Sequence, residues 1–117
     1  MRPSRAILLV EPDASCGGAL ARLMRRGGDR VHLVRTTRAA LAAVRRGPYD
    51  LAVVDLLVKG GGVDLARRLT PKVPRVYLSI GARLLADEIV EAAVGFPVLR
   101  KGDLPARLGS TPRGRAS

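Results

Sequence analysis

Polar residues stand at the ends of short apolar runs throughout this sequence. Glu11 and Asp13 follow AILLV, Asp55 ends LAVVD, Ser79 ends VYLS and Lys101 follows VLR. Asp55 is the sharpest case, because YDLAVVDLLVK places it between apolar residues on both sides. An unpaired buried carboxylate is costly, so such a position needs a compensating partner. In an open parallel α/β sheet, ligands sit beyond the carboxyl ends of the strands. Carboxylates brought together at such an edge repel one another unless a cation lies among them. Hard oxygen donors favour Mg²⁺, which keeps several waters and completes its shell with phosphate oxygens. Lys101 would add a positive point charge, and Ser79 a hydroxyl able to donate to an anion. The chemistry this set could perform is phosphoryl transfer onto a carboxylate nucleophile.

For that convergence to occur, the apolar runs must be neighbouring strands. Ala6–Val10, Arg30–Val34, Leu51–Val54, Val76–Ser79 and Val98–Leu99 read as five short strands. Between them lie amphipathic stretches. Cys16, Ala19, Leu20, Leu23 and Met24 recur at helical spacing up to Gly27-Gly28. Thr36 or Thr37 can cap a helix over Ala39–Arg46, with Leu41 and Val44 on its apolar side, closed by Gly47-Pro48. KGGG leads into a short helix near Val63–Leu69, and Leu84–Ala93 reads as another helix. Strand–helix alternation argues for an α/β domain with a parallel sheet, and strands one and three are apolar throughout, as strands covered on both faces are. Residues 1–108 suit one domain. After Gly102 the pattern decays, and 109–117 read as a disordered tail.

Composition sets further bounds. The chain has 117 residues, 47% of them hydrophobic, enough for one core but not two. Cys16 is the sole cysteine, so no internal disulfide forms and paired-cysteine zinc spacings are absent. AILLV is too short for a signal-peptide core, and no apolar run could span a bilayer, so the expected compartment is the cytoplasm. The net charge of +11 comes from 21 basic residues, of which only Lys59, Lys72 and Lys101 are lysines. They are scattered in pairs, and aromatic content is 3%, too low for a base-stacking platform. A nucleic-acid partner is therefore not expected, whereas an acidic protein partner is. No phosphate-binding loop or hydrolase signature occurs, and His32, in mid-strand, is expected to serve packing.

In this order and spacing, AILLVEPD, LAVVDL, GGVDLARRL, YLSIGA and VLRKGD resemble the receiver domain of two-component response regulators. The intervals are 44 residues from Glu11 to Asp55 and 22 from Ser79 to Lys101, and the likeness runs from about Arg5 to Asp103. The resemblance implies a flavodoxin-like five-stranded parallel sheet, order 2-1-3-4-5, with helices on both faces. It further implies that Asp55 accepts a phosphoryl group from a histidine kinase or phosphotransfer protein. Glu11, Asp13 and Asp55, with the Leu57 carbonyl, would hold Mg²⁺, while Ser79 and Lys101 bind the phosphate. The domain would act as a phosphorylation switch of a protein–protein interaction, not as an enzyme. The alternative is a pseudo-receiver, an interaction module that does not respond to phosphate.

Several positions depart from the family pattern. Pro12 stands where a second acid is usual, so Asp13 either substitutes as a ligand or caps the first helix. Lys59 replaces a common proline and either reaches toward the acids or is solvated. Only 24 residues separate Asp55 from Ser79, which implies a trimmed third helix region. Val98 replaces the switch aromatic, Gly102 replaces a proline, and the last helix is expected to be truncated.

Overall fold

A computed structural model of the chain describes residues 3–81, 95–104 and 108. Five strands, β1 (Ala6–Val10), β2 (Arg30–Val34), β3 (Leu51–Asp55), β4 (Arg75–Ile80) and β5 (Val98–Arg100), form one sheet. All pairings are parallel and the order is β2-β1-β3-β4-β5. Helices α1 (Ala14–Arg26), α2 (Thr37–Arg46) and α3 (Gly62–Leu69) connect successive strands. The flavodoxin-like topology expected from the sequence is the one observed. The helix expected over 84–93 and the tail at 109–117 lie outside the described residues; where a truncated last helix is expected, the described Leu104 and Leu108 are helical and buried.

Strand alternation builds two cores. Leu8, Val10, Ala52 and Val54 face α2 and α3, while Ile7, Leu9, Leu51 and Val53 face the α1 side with Leu104 and Leu108. Because both faces are covered, β1 and β3 are buried along almost their whole length. The edge strand β2 has a neighbour on one side only, and its alternate residues Arg30 and His32 are exposed. His32 serves packing, as expected, but at the exposed edge of the sheet. It stacks on Tyr49 with ring centroids 6.2 Å apart, and its Nδ1 lies 2.7 Å from the Tyr49 hydroxyl. Burial raises the Tyr49 pKa.

The helix ends explain the placement of the loops. Asp13 caps α1 by accepting from the Cys16 amide at 2.8 Å, and Thr36 caps α2 by accepting from the Ala39 amide at 3.0 Å. On α1 the buried side runs through Gly17, Leu20, Ala21 and Met24; Leu23, expected inward, is exposed. On α2 the buried positions are Ala40 and Ala43, with Leu41 and Val44 half-buried beside them. Eight residues are too few for α3 to be stable alone. Leu65, Ala66 and Leu69, all fully buried, hold it against the sheet. This two-turn helix accounts for the short interval between Asp55 and Ser79.

The β3–α3 loop is fixed by its backbone. The Gly62 amide donates to the Leu56 carbonyl at 3.0 Å, and a Cβ at Gly62 would lie 2.5 Å from the Asp55 carbonyl oxygen and 2.7 Å from Leu56. Those neighbours are backbone atoms and cannot turn aside. Gly62→Ala should therefore destabilise the fold by about 1–3 kcal/mol, the usual cost of overpacking. Urea unfolding would measure it, and a midpoint equal to wild type would show that this close approach is absent.

Candidate functional site

Parallel pairing brings the polar strand ends to one edge. Asp55 is the register partner of Ser79 on β4. Beyond Val10, which pairs with Val54, the Glu11 amide still donates to the Val34 carbonyl at 2.9 Å, so Glu11 is held as an extension of β1. Lys101 begins a short 3-10 turn directly after β5, and the described backbone has no cis peptide bond there. Four residues from four strand ends thus face a common space.

Lys101 joins the two acids. Its Nζ lies 2.8 Å from Glu11 Oε1 and 2.7 Å from Asp55 Oδ1. The other oxygen of each acid accepts a backbone N–H: Glu11 Oε2 from Asp13 at 3.1 Å, Asp55 Oδ2 from Leu57 at 3.1 Å. Both side chains are nearly buried, at 3% and 9% exposure, so these contacts are poorly screened. Partial burial alone would depress the Lys101 pKa. Hydrogen bonds to Asp55 and Glu11, and their charges, outweigh it and hold Lys101 above the ordinary lysine value. Next to this triad, the buried Ser79 Oγ has no hydrogen-bond partner among the described residues.

Asp13 and Lys59 take different places. Asp13 is exposed and serves as the α1 cap, so the second of its two expected roles is the one observed. Pro12 contributes its carbonyl, which accepts from Arg35 Nε at 3.0 Å. The three-carboxylate group expected from the sequence does not assemble: among the described residues no three His, Cys, Asp or Glu side chains are placed to hold a metal ion. The remaining donors are the Glu11 and Asp55 carboxylates and the Leu57 carbonyl. That set suits Mg²⁺, which commonly takes one or two carboxylates and keeps its waters. Lys59 is exposed, and its carbonyl accepts from the Thr37 hydroxyl at 3.0 Å, tying the β3–α3 loop to α2. Val98 is buried in β5.

Cys16 is a neighbour of the site that the sequence reading assigned only to helix packing. Its Sγ lies 3.8 Å from Glu11 Oε1. Burial, then the Glu11 charge, raises the thiol pKa, so it stays protonated and weakly nucleophilic at neutral pH. The signal was present: a cap at Asp13 places Cys16 in the first helical turn, beside the strand end it caps.

Comparisons with known proteins agree with this geometry. No protein-family model matches the chain. It is 34% identical over 92 residues to the aerobic respiration control sensor protein ArcB of Escherichia coli, covering 74% of this chain but 12% of ArcB. It is 29% identical over 90 residues to a response regulator receiver protein of Anaeromyxobacter, covering 76% of this chain and 38% of that protein. The solved receiver domain of the Francisella response regulator 1452 superposes with a TM-score of 0.75 at 16% identity, over 90% of this chain and 93% of that one. This chain is a receiver domain of the response-regulator family. It spans only a small part of ArcB and less than half of the Anaeromyxobacter protein.

In this receiver domain, Lys101 keeps two buried carboxylates from facing each other uncompensated. Because its folded pKa is raised, the stabilisation it gives is fully present below the ordinary lysine pKa and is lost only as pH rises through the folded value. Lys101→Met should cost about 2–4 kcal/mol at pH 7, somewhat less than a fully buried pair because the ammonium is partly exposed. Denaturant unfolding at several pH values checks this. The deficit should persist from pH 7 to 9, and a loss below about 0.5 kcal/mol would mean the bridge contributes no more than a surface pair.

Proposed function

We propose that this receiver domain accepts a phosphoryl group on Asp55 from a phosphohistidine donor, a histidine kinase or phosphotransfer protein, and thereby switches a protein–protein interaction. One observation supports the reading above the rest. The Lys101 ammonium lies 2.7 Å from Asp55 Oδ1, while the buried Ser79 hydroxyl, without a partner among the described residues, occupies the adjacent register position. A buried hydroxyl with nothing to bond is ordinarily an unfavourable arrangement. A phosphoryl oxygen on Asp55 would satisfy it.

In the transfer, an Asp55 carboxylate oxygen attacks phosphorus. The new O–P bond forms as the donor's P–N bond breaks, and the leaving imidazole nitrogen keeps the electron pair. Lys101 offsets charge on the transferred oxygens, and Ser79 donates to one of them. Glu11 and the Leu57 amide hold Lys101 and the carboxylate in place, so little rearrangement is needed before attack. Mg²⁺, held by Glu11, Asp55 and the Leu57 carbonyl, would supply further neutralisation of the phosphoryl oxygens when bound. The expected setting is the cytoplasm, with an acidic protein partner downstream.

A second reading has its own support. With Pro12 oxygen-free in its side chain and Asp13 engaged as a cap, the pocket has one acid fewer than the family pattern, which favours an interaction module indifferent to phosphate. Incubation with Mg²⁺ and acetyl phosphate, followed by intact-mass measurement, separates the two. Wild type should gain an acid-labile phosphoryl group and Asp55→Asn none. Wild type left unlabelled under conditions that label an ordinary receiver domain would establish the second reading. Pro12→Asp should tighten Mg²⁺ binding by about tenfold, because ligand charge count sets affinity at such sites. Titration calorimetry measures it, and unchanged affinity would mean the residue-12 position does not face the cation.

A further inference from the structure

The edge opposite Asp55 carries a different chemistry. Helices in this fold run antiparallel to the strands, so α1, α2 and α3 all end at the strands' amino edge. Each ends in an exposed arginine pair: Arg25–Arg26, Arg45–Arg46 and Arg67–Arg68. Arg30, at the start of β2, and Lys72, in the α3–β4 loop, are exposed at the same edge. The described acids there are already engaged. Asp29 is buried against Arg5, with Arg5 Nη2 2.8 Å from its Oδ2, and Asp50 accepts from the Ala6 amide at 2.8 Å. A single basic residue would answer the partial negative charge at a helix end. Paired arginines on three adjacent helix ends exceed that need.

Two shallow clefts open on this edge between the cations. One, about 350 Å³, lies at the start of β2 and is lined by Val31, His32, Pro48 and Tyr49 with Arg30. The other, about 370 Å³, lies at the start of β4 and is lined by Val73, Val76, Phe96 and Pro97 with Arg75. Both linings are largely apolar. A phosphate backbone has nothing to put in them, and a base-stacking surface is missing, because Tyr49, Tyr77 and Phe96 are all half-buried. Carboxylates for the guanidinium forks and apolar side chains for the clefts belong together in one kind of ligand.

We infer that the amino edge of the sheet is a docking surface for an extended acidic protein segment that carries interspersed apolar residues. The clefts lie at the starts of β2 and β4, about three strand spacings or ~14 Å apart, which an extended segment of about five residues spans. This surface is on the far side of the domain from Asp55. It therefore does not depend on the phosphotransfer reading, and Asp55→Asn should bind as wild type does.

The test is an NMR titration of the ¹⁵N-labelled full chain with an eight-residue peptide alternating Glu and Leu. The comparators are an alternating Glu and Ser peptide of the same charge, a random-sequence duplex DNA and phosphatidylserine vesicles. Shifts should centre on residues 47–50, 70–75 and 96–97 and leave 11–13 and 55–59 unmoved. The Glu/Leu peptide should bind at least about threefold tighter than the Glu/Ser peptide, and weaken as salt rises. Arg45→Glu with Arg46→Glu, or Arg67→Glu with Arg68→Glu, should weaken it about tenfold. Arg22→Glu with Arg38→Glu removes the same charge away from this edge and should weaken it less than about threefold. Arginine-to-glutamine versions serve if a glutamate pair unfolds the chain. Equal losses in all pairs, equal binding of the two peptides, tighter binding of DNA or vesicles, or no binding at all would each overturn the inference.

Discussion

One ammonium group sets the terms for this edge of the sheet. Glu11 and Asp55 end adjacent strands with their carboxylates in nearly dry surroundings, and Lys101 lies within 2.8 Å of both. Without a cation the two acids would repel in a setting where water screens little. With it, both carboxylates share one counter-charge, and Asp55 Oδ1 is held 2.7 Å from the ammonium. The strand order matters because it brings β5, and with it Lys101, to the same edge as β1 and β3. A single covering of the sheet would leave that edge wet; the two cores on opposite faces keep it dry.

The same architecture separates charge between its two ends. Helix starts and strand carboxyl ends share one edge, where Asp13 caps α1 and Glu11 and Asp55 meet Lys101. Helix ends and strand starts share the other, where arginine pairs accumulate. Among the described residues, positive charge is thus far from evenly distributed. What composition alone suggests is a solvated basic surface; what topology adds is a basic edge placed away from Asp55.

Much of this was legible in the sequence, and the failures have physical causes. Strands β1 and β3 announced themselves because burial on both faces demands unbroken apolar runs. Asp55, Ser79 and Lys101 could be placed because each terminates such a run, and sheet register then does the rest. Asp13 could not be decided from sequence: an acid three residues past a strand serves equally as ligand or cap, and the helix start at Ala14 makes it the cap. Leu23 was misplaced because α1 needs only a narrow apolar stripe, which Leu20, Ala21 and Met24 already fill. That His32 packs at an exposed edge, on Tyr49, could not be foreseen, because a strand's position in the sheet is not written in its own residues; at the edge, alternate side chains meet water. The Cys16 contact with Glu11 joins two elements across a turn; its signal lay in the cap at Asp13 that places Cys16 in the first helical turn, not in the residue type.

The central claim is that Asp55, Lys101 and Ser79 form a receptacle for a phosphoryl anion. Fluorine NMR of the protein with beryllofluoride and Mg²⁺ addresses it without requiring a kinase or a stable phosphoaspartate. Bound fluorine resonances on wild type that vanish in Asp55→Asn and weaken in Ser79→Ala are the expected result. Wild type and Asp55→Asn giving the same spectrum, that of free beryllofluoride alone, would contradict the account.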